Sequence, residues 1–404
     1  MRVLMIHTFH HPRGGDSTYT RSLTHLLEAA GHTVAHLAMR HPDNEPSTWE
    51  ARFPAWVDLR QSRSRLANAA QAMRMVWSRE AAESCAALIA DFKPDVAHLQ
   101  HVHRHLTPSV LDPLNAAGVS VVWTVHDYEL ICPSGHLFTA GAPCERCRDG
   151  DYRNAIRQRC KWGALLPSAA VALEQMIHRK KNVWGRVDRF LCPSRFLAGR
   201  LEAFGVPADR ITALNNPLDL TVHPPATAPG QGWLYAGRLA EEKGVEIVIE
   251  AARRLPAHPL RICGDGPIAA DLRRKAAGMP HVSFLGHLPT DQLAEEIRRA
   301  AVIAVPSRWY ENFPYAVLEA QAACRAVVAS AIGGIPEQIE SGINGLLVPP
   351  SDPAAMAEAV GGLLADPDAA LRMGRAARQR IAERLDPADH LATVESIYRE
   401  VCAR

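Results

Sequence analysis

The stretch AVIAVPSRWYENFPYAVLEAQAAC, residues 301–324, decides the fold. An unbroken apolar run ends at Val305, and Pro306 opens a polar loop containing Glu311. A helical pattern starts near Pro314 and carries Glu319. A short continuous apolar strand followed by a helix marks a strand buried on both faces of a parallel sheet. The same unit recurs on either side. WLYAG, PLRICG, HVSFLG, AVVAS and GLLVPP read as further strands with helices between them. This half of the chain is a doubly wound α/β domain.

Upstream, residues 215–231 are rich in proline and poor in periodic apolar residues, and read as a linker. Before the linker the alternation is present again. RVLMIH (2–7), TVAHLAM, DVAHLQ (95–100), VSVVWTV (119–125) and DRFLCPS (188–194) read as strands. Helices are expected between them, including long ones over about 65–90 and 164–184. The chain therefore reads as two Rossmann-like, doubly wound domains facing each other across a cleft. The expected boundaries are 1–217, with a Cys-rich insert at about 128–163, then 218–375. A C-terminal helix in 376–404 is expected to pack back toward the first domain. Ligands of such sheets bind at the carboxyl ends of the strands, so the loops after strands should carry the chemistry.

Composition excludes several classes. The 404 residues are 47% hydrophobic and 22% charged, with a formal charge of +2, as in an ordinary globular protein. No apolar run approaches a membrane span. The start, MRVLMIHTFHHPRGG, lacks a cleavable leader's pattern, which points to the cytoplasm. In that compartment nine cysteines argue against a disulfide framework. No G-x-G-x-x-G follows the first strand of either half, which argues against a dinucleotide-dependent dehydrogenase. Nothing points to nucleic acid.

Three loops of the second half carry the strongest signal. In YAGRLAEEKG (235–244), Arg238 and Lys243 lie between a strand end and a helix start, a cradle for a diphosphate. In the 301–324 stretch, Glu311 and Glu319 are eight residues apart and could accept hydrogen bonds from vicinal sugar hydroxyls. The amides at Asn312 and Phe313 could hold hydroxyls or phosphate oxygens. In SAIGGIPEQIESGINGLLV (330–348), Gly333 and Gly334 permit close backbone approach. GDGP (264–267) reads as a turn.

In this order, GRLAEEKG, GDGP, PSRWYENFPYAVLEA, GGIPE and NGLLV resemble the family-4 retaining glycosyltransferases, which have the two-domain GT-B fold. The resemblance implies that Arg238 and Lys243 bind the donor diphosphate and Glu319 the ribose. It places Glu311 and the backbone of Asn312 and Phe313 beside the transferred sugar, with Gly334 at the phosphates. In the first half it puts the amide of Gly15, in FHHPRGGDSTYT (9–20), at the donor phosphates, and His126 beside the donor sugar. Asp127 either fixes the tautomer of His126 or caps the turn. The catalytic set implied is His126, Glu311, Arg238 and Lys243.

The activity implied is retaining transfer from a UDP- or GDP-sugar to a saccharide or lipid-linked saccharide. Cations and helix N-termini would stabilise the leaving group in place of a metal. Nucleotide-sugar epimerases share the fold and are the alternative, as is a binder without transfer activity.

Three features remain. Cys132, Cys144, Cys147 and Cys160 have the spacing C-x11-C-x2-C-x12-C, a plausible tetrahedral thiolate set for structural zinc; free thiols and an iron–sulfur cluster are the alternatives. HLQHVHRHL carries His98, His101, His103 and His105 without carboxylates in a ligand pattern, and is expected to line a cleft rather than bind metal. Residues 152–189 hold nine Lys or Arg against Glu174 and Asp188. They read either as a solvated face or as a basic rim touching an anionic membrane at its inner surface.

Overall fold

A computed structural model of the chain describes residues 1–56 and 73–403. Part of the helix expected over 65–90 lies outside the described residues. Its described end is the helix Arg79–Phe92, started by Ser78, whose hydroxyl accepts from the Ala81 amide. The chain divides into two compact units. The first comprises 1–137, 145–216 and 388–404; the second comprises 138–144 and 217–387.

The first unit is built on β1 (Arg2–Ile6), β2 (Thr33–Leu37), β3 (Val96–Leu99) and β4 (Ser120–Thr124). A two-stranded hairpin follows, β5 (Phe138–Thr139) and β6 (Ala142–Pro143), then β7 (Arg189–Cys192) and β8 (Ile211–Ala213). The sheet order is β2-β1-β3-β4-β7-β8, all parallel. Val3, Leu4, Met5 and Ile6 are fully buried, as a strand covered on both faces requires.

The second unit carries β9 (Trp233–Ala236), β10 (Leu260–Cys263), β11 (Val282–Gly286), β12 (Val302–Val305), β13 (Ala326–Ser330) and β14 (Leu346–Val348). Their order is β11-β10-β9-β12-β13-β14, again parallel. Alternate residues feed two cores. Trp233, Tyr235, Val302, Ala304 and Val328 enter one. Leu234, Ile303, Val305, Val327 and Ala329 enter the other.

Strand order reverses between β1 and β3 in the first unit and between β9 and β12 in the second. Such switch points open a crevice at the carboxyl ends of the strands.

Two boundaries differ from the sequence expectation. Residue 376 lies inside a continuous helix, Pro367–Arg384, that belongs to the second unit. The segment joining the first unit is the next helix, Pro387–Cys402. It is anchored by Tyr398 Oη against His98 Nδ1 at 2.6 Å, His390 Nε2 against Tyr19 Oη at 3.1 Å, and Glu395 against His32 at 2.7 Å. The second difference is the hairpin 138–144 of the Cys-rich insert, which belongs to the second unit. There the Gly141 carbonyl accepts from Arg308 Nη2 at 2.9 Å.

Candidate functional site

In the second unit, the loops after β9 and β12 meet at the switch point. Lys243 Nζ donates to Glu311 Oε1 at 2.8 Å, and the Ser307 hydroxyl donates to the same oxygen at 2.6 Å. The lysine ammonium also lies 4.8 Å from the centre of the Trp309 ring. The Glu311 side chain is 7% exposed. Burial alone would raise its pKa, but the charge and hydrogen bond of Lys243, with hydrogen bonds from Ser307 and Trp309, hold it below the usual carboxylate range. The buried carboxylate is therefore ionised and already orders its loop.

Glycines make this closeness possible. Gly244 has φ +68°, and a Cβ there would stand 2.2 Å from the Pro306 carbonyl oxygen. Gly333 has φ +62°, and a Cβ there would stand 2.3 Å from the Glu311 carbonyl oxygen. That same oxygen accepts from the Gly334 amide at 2.7 Å. The GGIP loop thus closes directly on the backbone of Glu311. GDGP is more than the turn its sequence suggested. The Asp265 carbonyl accepts from the Leu239 amide at 2.9 Å, and a Cβ on Gly266 would meet the Leu239 carbonyl oxygen at 2.2 Å. GDGP therefore buttresses the loop that carries Arg238.

Arg238 is exposed, and its guanidinium forms no hydrogen bond or ion pair among the described residues. Its backbone carbonyl accepts from the Tyr235 hydroxyl at 2.8 Å. Glu319 stands on the helix Tyr315–Ala322, and burial raises its pKa to about 7. No cation offsets that burial. Among the described residues, the second unit therefore presents an uncommitted guanidinium, a lysine held by a carboxylate, and a carboxylate with no cationic partner. Phe313 is buried in the core cluster of Leu218 and Leu318, so its contribution to a ligand is through its backbone.

In the first unit, the strand ends at the switch point gather histidines. His126 follows β4, and its Nε2 lies 2.7 Å from Gln100 Oε1 at the end of β3. The amide oxygen can only accept, so Nε2 carries the proton and Nδ1 is the acceptor. Burial lowers the pKa of His126 to about 3, and the imidazole is neutral. Gln100 is the tautomer-fixing partner. Asp127 takes the other expected role: its Oδ1 accepts from the Glu129 amide at 2.8 Å and closes the turn. Gly15 begins the helix Gly15–Ala29, whose first-turn amides have no intrahelical acceptor. The next residue, Asp16, pairs with His7 Nε2 at 3.2 Å.

The four histidines expected to line one loop have four different fates. His98 is fully buried between Tyr398 Oη at 2.6 Å and Thr124 Oγ1 at 2.7 Å. His105 stacks on Trp56 with centroids 5.1 Å apart. His101 Nε2 lies 3.4 Å from both Asp127 and Glu129. Burial would lower its pKa, but Glu129, Asp127 and Asp16 outweigh this and raise it to about 9. His103 sits with Glu174 and His178, their ligand atoms within 4.8 Å of one another. The carboxylates missing from the sequence pattern thus arrive from distant segments. Arg104 completes this layer by pairing with Glu129.

The four cysteines are not gathered. Three groups of potential ligand atoms come within 4.8 Å among the described residues, and none contains a cysteine. Cys132 Sγ lies 3.3 Å from the Ser134 hydroxyl. Cys147 and Cys160 pack as apolar groups against Tyr152, Ala155 and Ala172. Cys144 belongs to the hairpin of the second unit. The tetrahedral clasp expected from spacing does not form in this arrangement, and no function is routed through it.

Sequence reasoning missed Gln100, His7, Asp16 and Ser307. Gln100 ends a strand and Asp16 follows the Gly pair, so both stood at legible places. Their roles depend on partners that only the fold supplies.

Two parallel sheets, each with polar residues gathered at its switch point, define a two-unit, doubly wound α/β protein. Residues 13–222 match the family described as Glycosyltransferase Family 4, and residues 230–366 match Glycosyl transferases group 1. The chain belongs to glycosyltransferase family 4. A glycogen synthase of Mycobacterium tuberculosis is 39% identical over 197 residues, 46% of this chain and 47% of that protein. An alpha-maltose-1-phosphate synthase of Mycolicibacterium smegmatis is 33% identical over 225 residues, 48% of this chain and 58% of that protein. The chain thus matches about half the length of these curated relatives. Among solved structures, sucrose-phosphate synthase from Thermosynechococcus elongatus has a TM-score of 0.74 at 21% identity, covering 100% of this chain and 99% of that one. Anabaena HepE in complex with UDP-glucose has a TM-score of 0.71 at 16% identity, covering 99% and 100%. These two likenesses establish the GT-B fold.

Proposed function

We propose that the chain transfers a sugar, with retention of configuration, from a nucleoside diphosphate sugar to a hydroxyl of a saccharide or lipid-linked saccharide. The observation that carries this reading is the Lys243–Glu311 pair at the β9/β12 switch point, with Arg238 exposed in the same loop as Lys243. A diphosphate offers Lys243 a stronger partner than a single carboxylate. When Lys243 turns to the phosphates, Glu311 is released to accept hydrogen bonds from sugar hydroxyls. Glu319, once ionised, accepts from both ribose hydroxyls. Arg238 and Lys243 then neutralise the charge that develops on the leaving diphosphate. Fixed cations do here what a divalent ion does elsewhere. His126, neutral and with its proton held on Nε2 by Gln100, suits orienting a sugar by hydrogen bonding rather than strong base catalysis.

HepE binds UDP-glucose in this fold, which favours a nucleotide sugar as donor. The test is release of nucleoside diphosphate from a panel of UDP- and GDP-sugars. Lys243→Ala and Glu319→Ala should each abolish most of the activity. Unchanged transfer in both variants would refute the reading.

A further inference from the structure

The helix Leu165–Lys180 is turned inside out. Its buried side chains include Ser168, Glu174, Gln175 and His178. Its exposed ones include Leu165 at 54%, Leu166 at 81%, Leu173 at 45% and Met176 at 54%, with Trp162 at 73% just before it. Leu166, Leu173 and Lys180 fall at seven-residue steps, two helical turns apart, and so share one stripe. These five apolar residues are the majority of the nine large apolar side chains exposed among the described residues.

The orientation is pinned. Gln175 donates to the Glu129 carbonyl, and His178 Nε2 donates to the Val76 carbonyl at 3.0 Å. Glu174 lies 3.8 Å from Arg104 Nε. Rotating the helix to bury its leucines would strand these polar groups, so the apolar face stays outward.

The surrounding charge names the partner. Arg153, Arg157, Arg159, Arg179, Lys180 and Lys181 are exposed, while the only acid between 152 and 187, Glu174, is buried. Asp151, just outside this span, pairs with Arg153 and Arg157. Lys181 lies 4.3 Å from the Trp77 ring. A second copy docked symmetrically on this face would bring the cations against their own equivalents. An anionic bilayer offers the opposite charge and a medium for the leucines and tryptophan. No described helix is long and apolar enough to cross a membrane.

We propose that the Trp162–Lys181 face is a docking surface for an anionic lipid bilayer, with the apolar stripe entering the headgroup boundary and the cations on lipid phosphates. This inference is independent of the donor-site reading.

The test is co-sedimentation of the whole chain with vesicles of phosphatidylcholine alone and of phosphatidylcholine mixed with phosphatidylglycerol. Binding should require the anionic lipid and fall with salt. Lys180→Glu with Lys181→Glu should weaken it at least about tenfold, at about fivefold per cation removed. Leu166→Glu with Leu173→Glu should weaken it comparably. Because all four positions are exposed, circular dichroism and nucleoside diphosphate binding should be unchanged in both variants. Equal binding to neutral and anionic vesicles would overturn the proposal, as would binding insensitive to either variant. So would sedimentation equilibrium showing that the leucine variant converts a stable dimer to monomer without vesicle binding.

Discussion

Replacing Lys243 by Met removes the cation that faces Glu311 while keeping much of the side chain's bulk. At 2.8 Å the pair's attraction is about 6 kcal/mol at an effective dielectric of 20. Breaking one side of a buried pair costs about 3–5 kcal/mol, mostly because a charge is left uncompensated. The Lys243 side chain is 27% exposed and Glu311 keeps Ser307 as a donor, so the low end, about 3 kcal/mol, applies. The pH dependence follows from the sign of the shift. Glu311 has a depressed folded pKa, so its stabilisation is present above the unfolded value of 4.5 and is lost as pH falls through the folded value. In Lys243→Met that acid-side loss should flatten, because the carboxylate is no longer held down. Urea unfolding across pH measures both effects. The double variant Lys243→Met with Glu311→Gln should recover most of the stability and none of the transfer activity. If Lys243→Met unfolds like the wild type, or if the double variant regains transfer, the reasoning is wrong.

Three further outcomes are expected. Glu319 titrates near 7 because burial raises it, and only its ionised form accepts from ribose hydroxyls. Donor affinity should therefore rise with pH through about 7, and Glu319→Gln should bind weakly with a flat pH profile by calorimetry. Gly333→Ala demands φ +62° of a residue with a Cβ and drives that Cβ to 2.3 Å from the Glu311 carbonyl oxygen. It should cost about 2–4 kcal/mol by urea titration and abolish donor binding. His126→Phe removes a hydrogen-bonding group but no charge at neutral pH, so kcat/KM should fall by about tenfold to a hundredfold, with no change in the pH optimum.

The sheets were legible because buried parallel strands leave continuous apolar runs. Val3–Ile6 and Val302–Val305 need no partner to be recognised. The loops around Arg238, Glu311 and Gly333 were legible because their chemistry is concentrated within short segments. What could not be read depends on distant segments meeting. His101 and His103 looked bare of carboxylates because Asp127, Glu129 and Glu174 come from other elements. The cysteines looked like a clasp because spacing carries no direction: Cys147 and Cys160 pack against one apolar cluster, yet no three of the thiols bring their sulfur atoms within 4.8 Å of one another. The inverted helix at 165–180 escaped for a related reason. Its leucines at 3.6-residue spacing imply a buried face, and only the buried hydrogen bonds of Gln175 and His178 show that the polar face is the inner one.

The most direct test of the donor site is nucleoside diphosphate binding measured by calorimetry in the presence of a metal chelator. UDP or GDP should bind the wild-type chain without added metal, and Arg238→Ala and Lys243→Ala should each weaken that binding at least about tenfold. Binding that needs a divalent cation, or that survives both substitutions unchanged, would contradict the assignment.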